Sequence, residues 1–289
     1  MKTFTFTHPV HSEATLTGYV LDCDITMGQE TNRPAVIICP GGGYLYCAAT
    51  EGEPVALAYA ARGFHAFVLN YSVRFDAAGF SPLEEVSWAV GLVREHAAEW
   101  HIAADQIAVC GFSAGGHLAL ASGMLAENKP NALLLGYPVA SMDGPQNAFF
   151  AQLLTGKKHP TAEDMKTLDA FGAIDANAPP AFLFATVEDR LTPYGALAIA
   201  NAYSKAGVDY ELHLFQFGPH GLGLGTAESA NGSSQLLNER VAQWHDLSVS
   251  WLRKIFGEPV FVDKSNSLVG HYLKEMGVKM PEPPKAEEN

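Results

Sequence analysis

Short runs of apolar residues alternate along this chain with longer stretches whose apolar positions recur every three or four residues. The runs cover 35–39, 66–69, 107–110, 132–135 and 181–185. Unbroken apolarity over four or five residues predicts strands buried on both faces, as in a parallel sheet. The segment 210–215 alternates more and predicts a less buried strand. Near the start, 2–7 and 14–23 also alternate, which predicts an antiparallel pair ahead of the parallel strands.

Helical periodicity lies between these runs. Ser81 suits an N-cap, Pro82 the first helical position, and Glu84 completes a capping box. Val86, Ala89, Val90, Val93 and Ala97 then mark one helical face that ends near Trp100. Helices are also predicted over 115–127, over 193–206 with Thr192 as N-cap, and over 236–256. Strand–helix alternation of this kind predicts an α/β fold with a mostly parallel sheet of about eight strands and helices on both faces. The stretch 138–180 breaks the alternation and reads as a small cap insertion over one end of the sheet. The expected organisation is one α/β domain over 1–258 and a C-terminal extension over 259–289. The extension has a helical pattern near 268–276 and a disordered, Pro- and Glu-rich end.

With 289 residues, 48% of them hydrophobic and 17% charged, the chain can bury a core without metal or disulfide. The net charge of −13 argues against nucleic acid and anionic membrane as partners. No run of 18 apolar residues offers a membrane span. The first residues lack the apolar stretch of a signal peptide, so a cytoplasmic location is expected. Cys23, Cys39, Cys47 and Cys110 form no C-x-x-C pair or zinc spacing, which predicts free thiols and no metal site.

Candidate chemistry starts at Gly111-Phe112-Ser113-Ala114-Gly115, a G-x-S-x-G match. A buried strand runs into it and a small-residue helix runs out, the setting of a nucleophile elbow. The competing reading is a Gly-rich helix start that binds phosphate. Pro40-Gly41-Gly42-Gly43-Tyr44 follows the first buried strand. Three glycines in a row suit a loop whose backbone N–H groups are needed, here Gly42 and Gly43 beside Ala114 as an oxyanion hole. A flexible loop or a dinucleotide turn is the alternative, although Tyr46 stands where G-x-G-x-x-G needs glycine. His220, in a Gly- and Pro-rich loop after the strand at 210–215, is the candidate base. Asp189, at the end of the strand at 181–185, is the candidate acid that orients it, in preference to Glu188. The other histidines carry no motif, and His117 is expected to pack or hydrogen-bond locally.

The chain order Ser113, Asp189, His220 resembles the α/β-hydrolase triad and not the chymotrypsin or subtilisin order. Together with residues 40–44, 69–74, 111–117, 188–193 and 219–221, it makes the chain similar to the esterase/lipase branch of that superfamily, and to small acetyl esterases in particular. One departure is Pro40, where the family often has histidine. The resemblance implies an α/β-hydrolase fold and a serine esterase that needs no cofactor. It implies small-molecule esters as substrates, short acyl groups on carbohydrates foremost, and a homo-oligomer. Tyr44, Tyr46, Phe112, Phe149 and Phe150 are the candidate substrate-binding rings, with packing in the core as the alternative for some. An arylformamidase-like amide hydrolase and a non-catalytic binder on the same fold stay open.

Overall fold

The computed structural model describes residues 1–22, 32–143, 147–192, 194–258 and 268–278. The strands are β1 (Lys2–Thr7), β2 (Thr15–Val20), β3 (Arg33–Cys39), β4 (His65–Asn70), β5 (Ile102–Phe112), β6 (Ala132–Gly136), β7 (Ala181–Thr186) and β8 (Tyr210–Phe215). They form one eight-stranded sheet in the order β1-β2-β4-β3-β5-β6-β7-β8. β2 pairs antiparallel with both β1 and β4, and every later pairing is parallel. β5 therefore sits mid-sheet between β3 and β6, and the loops leaving the C-terminal ends of β3, β5, β6, β7 and β8 share one edge. That edge is where open parallel sheets place their ligands.

All five apolar runs lie in strands buried on both faces, as their composition requires. Ile37, Ile38, Val109 and Leu135 are fully buried, and each such side chain stabilises the fold by roughly 1.5–3 kcal/mol. β5 begins five residues before its apolar run. The lead-in, Ile102-Ala103-Ala104-Asp105-Gln106, is part-exposed and is cut off from the apolar run by Asp105 and Gln106, so the run gives no sign of it. β2 is shorter than the alternation over 14–23 predicts, and Cys23 lies outside the described residues. Cys39, Cys47 and Cys110 are free thiols.

The helices that flank the sheet are α1 (Glu53–Ala61), α2 (Ser81–Glu95), α3 (Ala97–Trp100), α4 (Ala114–Met124), α5 (Ala148–Thr155), α6 (Ala162–Lys166), α7 (Gly195–Ala206) and α8 (Glu239–Phe256). A further helix, α9, covers Leu268–Glu275. The predicted face of α2 is buried: Val86, Ala89, Val90 and Val93, with Ala97 beyond the break at His96. The predicted capping box is absent. Phe80 occupies the N-cap position in the left-handed region, buried in the core, and Ser81 is already helical. The Ser81 hydroxyl donates instead to the Asp76 carbonyl at 2.6 Å, because burying Phe80 sets how the chain enters the helix. Thr192 is likewise not the cap of α7, which starts three residues later. Between β6 and β7, α5 packs on the segment Arg74–Phe80 that precedes α2. The end of the chain past 278 lies outside the described residues, and among those described no helix is long and apolar enough to cross a membrane.

Candidate active site

β5 ends at Phe112 and α4 begins at Ala114, so a single residue makes the whole turn. Ser113 sits there at φ 53° and ψ −118°, a strained conformation for a residue with a side chain. The surroundings hold it. Its N–H donates to the Gly136 carbonyl at 3.0 Å, and its carbonyl accepts from the N–H groups of His117 and Val139 at 3.1 Å each. The turn is closed enough that a Cβ on Gly115 would stand 2.1 Å from the Cys39 oxygen and 2.4 Å from that of Pro40. Only glycine lets α4 start so close to the end of β3.

His220 comes from the loop after β8. Thr186 Oγ1 donates to the Gly218 carbonyl at 2.6 Å, and Glu188 accepts the Gly218 N–H at 3.0 Å, which pins that loop to the end of β7. His220 Nε2 lies 2.8 Å from Ser113 Oγ, and Nδ1 lies 2.7 Å from Asp189 Oδ2. Asp189 is buried. It also accepts from the N–H groups of Leu191 (2.8 Å) and Thr192 (3.2 Å), and the Thr192 hydroxyl is 2.8 Å from Oδ2. Burial pushes its pKa up. The hydrogen bond and charge of His220, with Thr192 and Leu191, outweigh that and bring it down to about 2. An ionised carboxylate only accepts, so the imidazole proton sits on Nδ1 and Nε2 is free to accept from the serine hydroxyl. Three side chains more than a hundred residues apart at the extremes thus form one continuous hydrogen-bonded row.

The glycine loop leaves the end of β3 beside this row. Gly42 has φ 121°, and a Cβ there would lie 2.0 Å from the Tyr46 carbonyl oxygen. Among the described residues the N–H groups of Gly42, Gly43 and Ala114 have no partner, whereas that of Gly41 donates to Glu51 Oε2 at 2.7 Å. A serine hydroxyl, an imidazole, a buried carboxylate and N–H groups without a partner therefore lie at one sheet edge.

The crystal structure of MGS-M1, an alpha/beta hydrolase enzyme from a Medee basin deep-sea metagenome library, matches this chain with a TM-score of 0.77. The two are 39% identical, over 88% of this chain and 98% of that one. The chain belongs to the α/β-hydrolase family. The BD-FAE family model matches residues 21–150 of this chain. Among curated proteins the chain is 30% identical over 222 residues to endo-1,4-beta-xylanase B of Butyrivibrio fibrisolvens, covering 71% of this chain and 35% of that protein. It is also 30% identical over 202 residues to the acetylxylan esterase of Xylanibacter ruminicola, covering 66% of this chain and 42% of that protein. The chain thus spans less than half the length of either curated relative.

Two of the five rings expected at the substrate cannot reach one as placed. Phe112 is fully buried, packed against Tyr137, Phe184 and Trp244, because a residue one position before the turn still points into the sheet's core. Tyr44 is fully buried too, and its hydroxyl pairs with His117 Nδ1 at 2.8 Å. Tyr46 and Phe149 are exposed, while Phe150 is half-buried, with its ring 3.1 Å from where a Gly43 Cβ would stand. His117 is buried and packs against Phe80 and Tyr44, as expected, while its Nε2 bonds the distant Leu168 carbonyl at 3.0 Å and burial lowers its pKa to about 4. Sequence reasoning missed Glu51 and Tyr137, which join the site's loops. Tyr137 stands just past the C-terminal end of β6, and that position was the available signal. Glu51 offers none, being an acidic residue without a surrounding motif, two positions before Glu53 at the start of α1.

Proposed function

We propose that this hydrolase is a serine carboxylic-ester hydrolase of short acyl esters, with acetylated carbohydrates as its leading natural substrates. The observation that carries the reading is the hydrogen-bonded row from Ser113 through His220 to Asp189 beside three unpartnered N–H groups. His220 Nε2 takes the Ser113 proton as Oγ attacks the ester carbonyl. The N–H groups of Gly42, Gly43 and Ala114 receive the charge that develops on the carbonyl oxygen, each such donor being worth about 2.7–4 kcal/mol in comparable sites. Asp189 holds the Nδ1–H tautomer and balances the imidazolium. His220 then gives its proton to the leaving alcohol, and water, deprotonated by the same nitrogen, releases the acid. The proton taken from water returns through His220 to Ser113 Oγ as the acyl bond breaks, which restores the serine hydroxyl.

The substrate class draws on three supports. The acetylxylan esterase of Xylanibacter ruminicola shares 30% identity with this chain. The segment 138–180, read as a cap, brings Phe150 onto the glycine loop where an acyl group would lie. Exposed Tyr46 and Phe149 offer faces on which a sugar ring can stack. Hydrolysis of p-nitrophenyl esters of rising acyl length, and acetate release from acetylated xylan, test the proposal. Acetate or propionate should be the best acyl group, Ser113→Ala should lose nearly all turnover while folding normally, and a serine-directed phosphonate should label Ser113. Full turnover by Ser113→Ala would refute the mechanism. Fast cleavage of N-formyl arylamines with feeble ester hydrolysis would favour amide chemistry.

A further inference from the structure

Glu51 is a carboxylate buried beneath the glycine loop, outside the Ser113–His220–Asp189 row. A lone charge in such a place costs several kcal/mol unless its surroundings satisfy it. Here both oxygens are taken. Oε2 accepts the Gly41 N–H at 2.7 Å, and Oε1 accepts the Tyr137 hydroxyl at 2.6 Å. The Tyr137 oxygen in turn accepts the N–H of Gly223, three residues past His220, at 2.9 Å. Both neighbours of the carboxyl are donors with no other acceptor, so the acceptor-only ionised form fits and a neutral acid would meet a donor with its own proton.

Tyr137 carries this link to the rest of the site. Its ring stands edge-on to the His220 imidazole, with centroids 5.0 Å apart. Its carbonyl lies 3.0 Å from the hydroxyl of Thr192, the residue that braces Asp189. The loops bearing the oxyanion donors, the base and the orienting acid thus meet at one tyrosine–glutamate pair. The titratable groups around Glu51 are Tyr71, Cys110, Tyr137 and His220. Those around His220 are Asp189, Glu51 and Tyr137. Burial raises the Glu51 pKa, while the bonds from Tyr137 and Gly41 and the charge of His220 oppose the rise.

We propose that Glu51 is a positioning residue that fixes the glycine loop and the His220 loop through Gly41 and Tyr137, and whose negative charge favours the imidazolium that His220 becomes during acyl transfer. The inference rests on the proposed function. Its test is the pH profile of kcat/KM for Glu51→Gln, a nearly isosteric change that removes the charge. The acid limb reports the base of the free enzyme. Loss of a nearby anion disfavours the protonated base, so the limb should move to lower pH. kcat should fall about 10- to 100-fold with KM little changed, the scale of a small misplacement of reacting groups. A variant that only melts earlier, with limb and kcat in place, overturns the inference. If Glu51→Gln does not fold, Tyr137→Phe decides. It keeps the ring beside His220 and cuts the bridge, so a fall in kcat at constant KM supports the inference and wild-type kcat overturns it. Ser113→Ala separates the two levels. Failure of the unaltered protein to hydrolyse esters, or turnover surviving in Ser113→Ala, brings down the proposed function and this inference with it. An enzyme that Ser113→Ala silences but Glu51→Gln leaves unchanged brings down this inference alone.

Discussion

Asp189 shows how far one residue's chemistry can be read from order alone and where that reading stops. Its place at the end of a buried strand, after Ser113 and before His220, singled out a carboxylate that the fold pairs with His220. The sequence held no sign that Thr192 and Leu191 would complete its hydrogen bonds, because those contacts depend on how the chain turns after β7. Asp189→Asn replaces an acceptor with a group that can donate toward Nδ1, which favours the wrong imidazole tautomer. By analogy with other Ser-His-Asp enzymes, kcat should fall by about 10⁴ with little change in fold. The same residue gives a stability prediction. Its pKa is about 2 in the fold, against about 3.9 for an unfolded aspartate. The depressed value makes its contribution, on the order of 2 kcal/mol, fully present above pH ~4 and progressively lost as pH falls toward 2. Denaturation curves at pH 5 and pH 2.5 should therefore converge between wild type and Asp189→Asn at the lower pH. An equal difference at both values would mean that the carboxylate is not the origin of the effect.

At the scale of elements, the inner parallel strands were legible because each holds a run of apolar residues that nothing but burial on two faces explains, while β8 at the sheet's edge shows alternation instead. Helix starts were not. The Ser81–Glu84 pattern satisfies every local rule for a cap, yet burying Phe80 overrides it. The meeting of α4 with β3 lies between these cases: glycines announced a tight turn, but only the fold shows what they are tight against. A methyl group at 115 would overlap the Cys39 and Pro40 carbonyls, both backbone atoms that cannot rotate away. Gly115→Ala must therefore push the start of α4 from the end of β3. The strain should cost about 1–3 kcal/mol of stability. The Ala114 N–H would move with the helix, so activity should drop by much more than the loss of folded protein accounts for. Comparing the melting temperature with phosphonate labelling of Ser113 separates the two effects. Normal labelling in a destabilised variant would show that the elbow tolerates the shift.

The proposed acyl site belongs to the whole molecule, since the segments beside it come from the ends of β3 and β5 and from α5. Hydrophobic pattern marked Phe149 and Phe150 as apolar residues outside the sheet, but no local signal told which of them turns inward. Packing of α5 on Arg74–Phe80 decides it: Phe150 leans on Gly43 while Phe149 faces solvent. A rigid ring at that place limits the room beside the oxyanion donors, and each methylene that cannot be accommodated costs about 1–3 kcal/mol in discrimination. Phe150→Ala opens that space without touching Ser113, His220 or Asp189. The ratio of kcat/KM for butyrate or hexanoate to that for acetate should rise by about tenfold or more, and the acetate rate should fall only modestly. Phe149→Ala, which removes an exposed ring, should leave the ratio unchanged and instead weaken KM for acetylated oligosaccharides if its face stacks on sugar. A constant ratio in Phe150→Ala would move the acyl group to another wall. One such opening is lined by Pro138, Val139, Leu191, Thr192 and Tyr194.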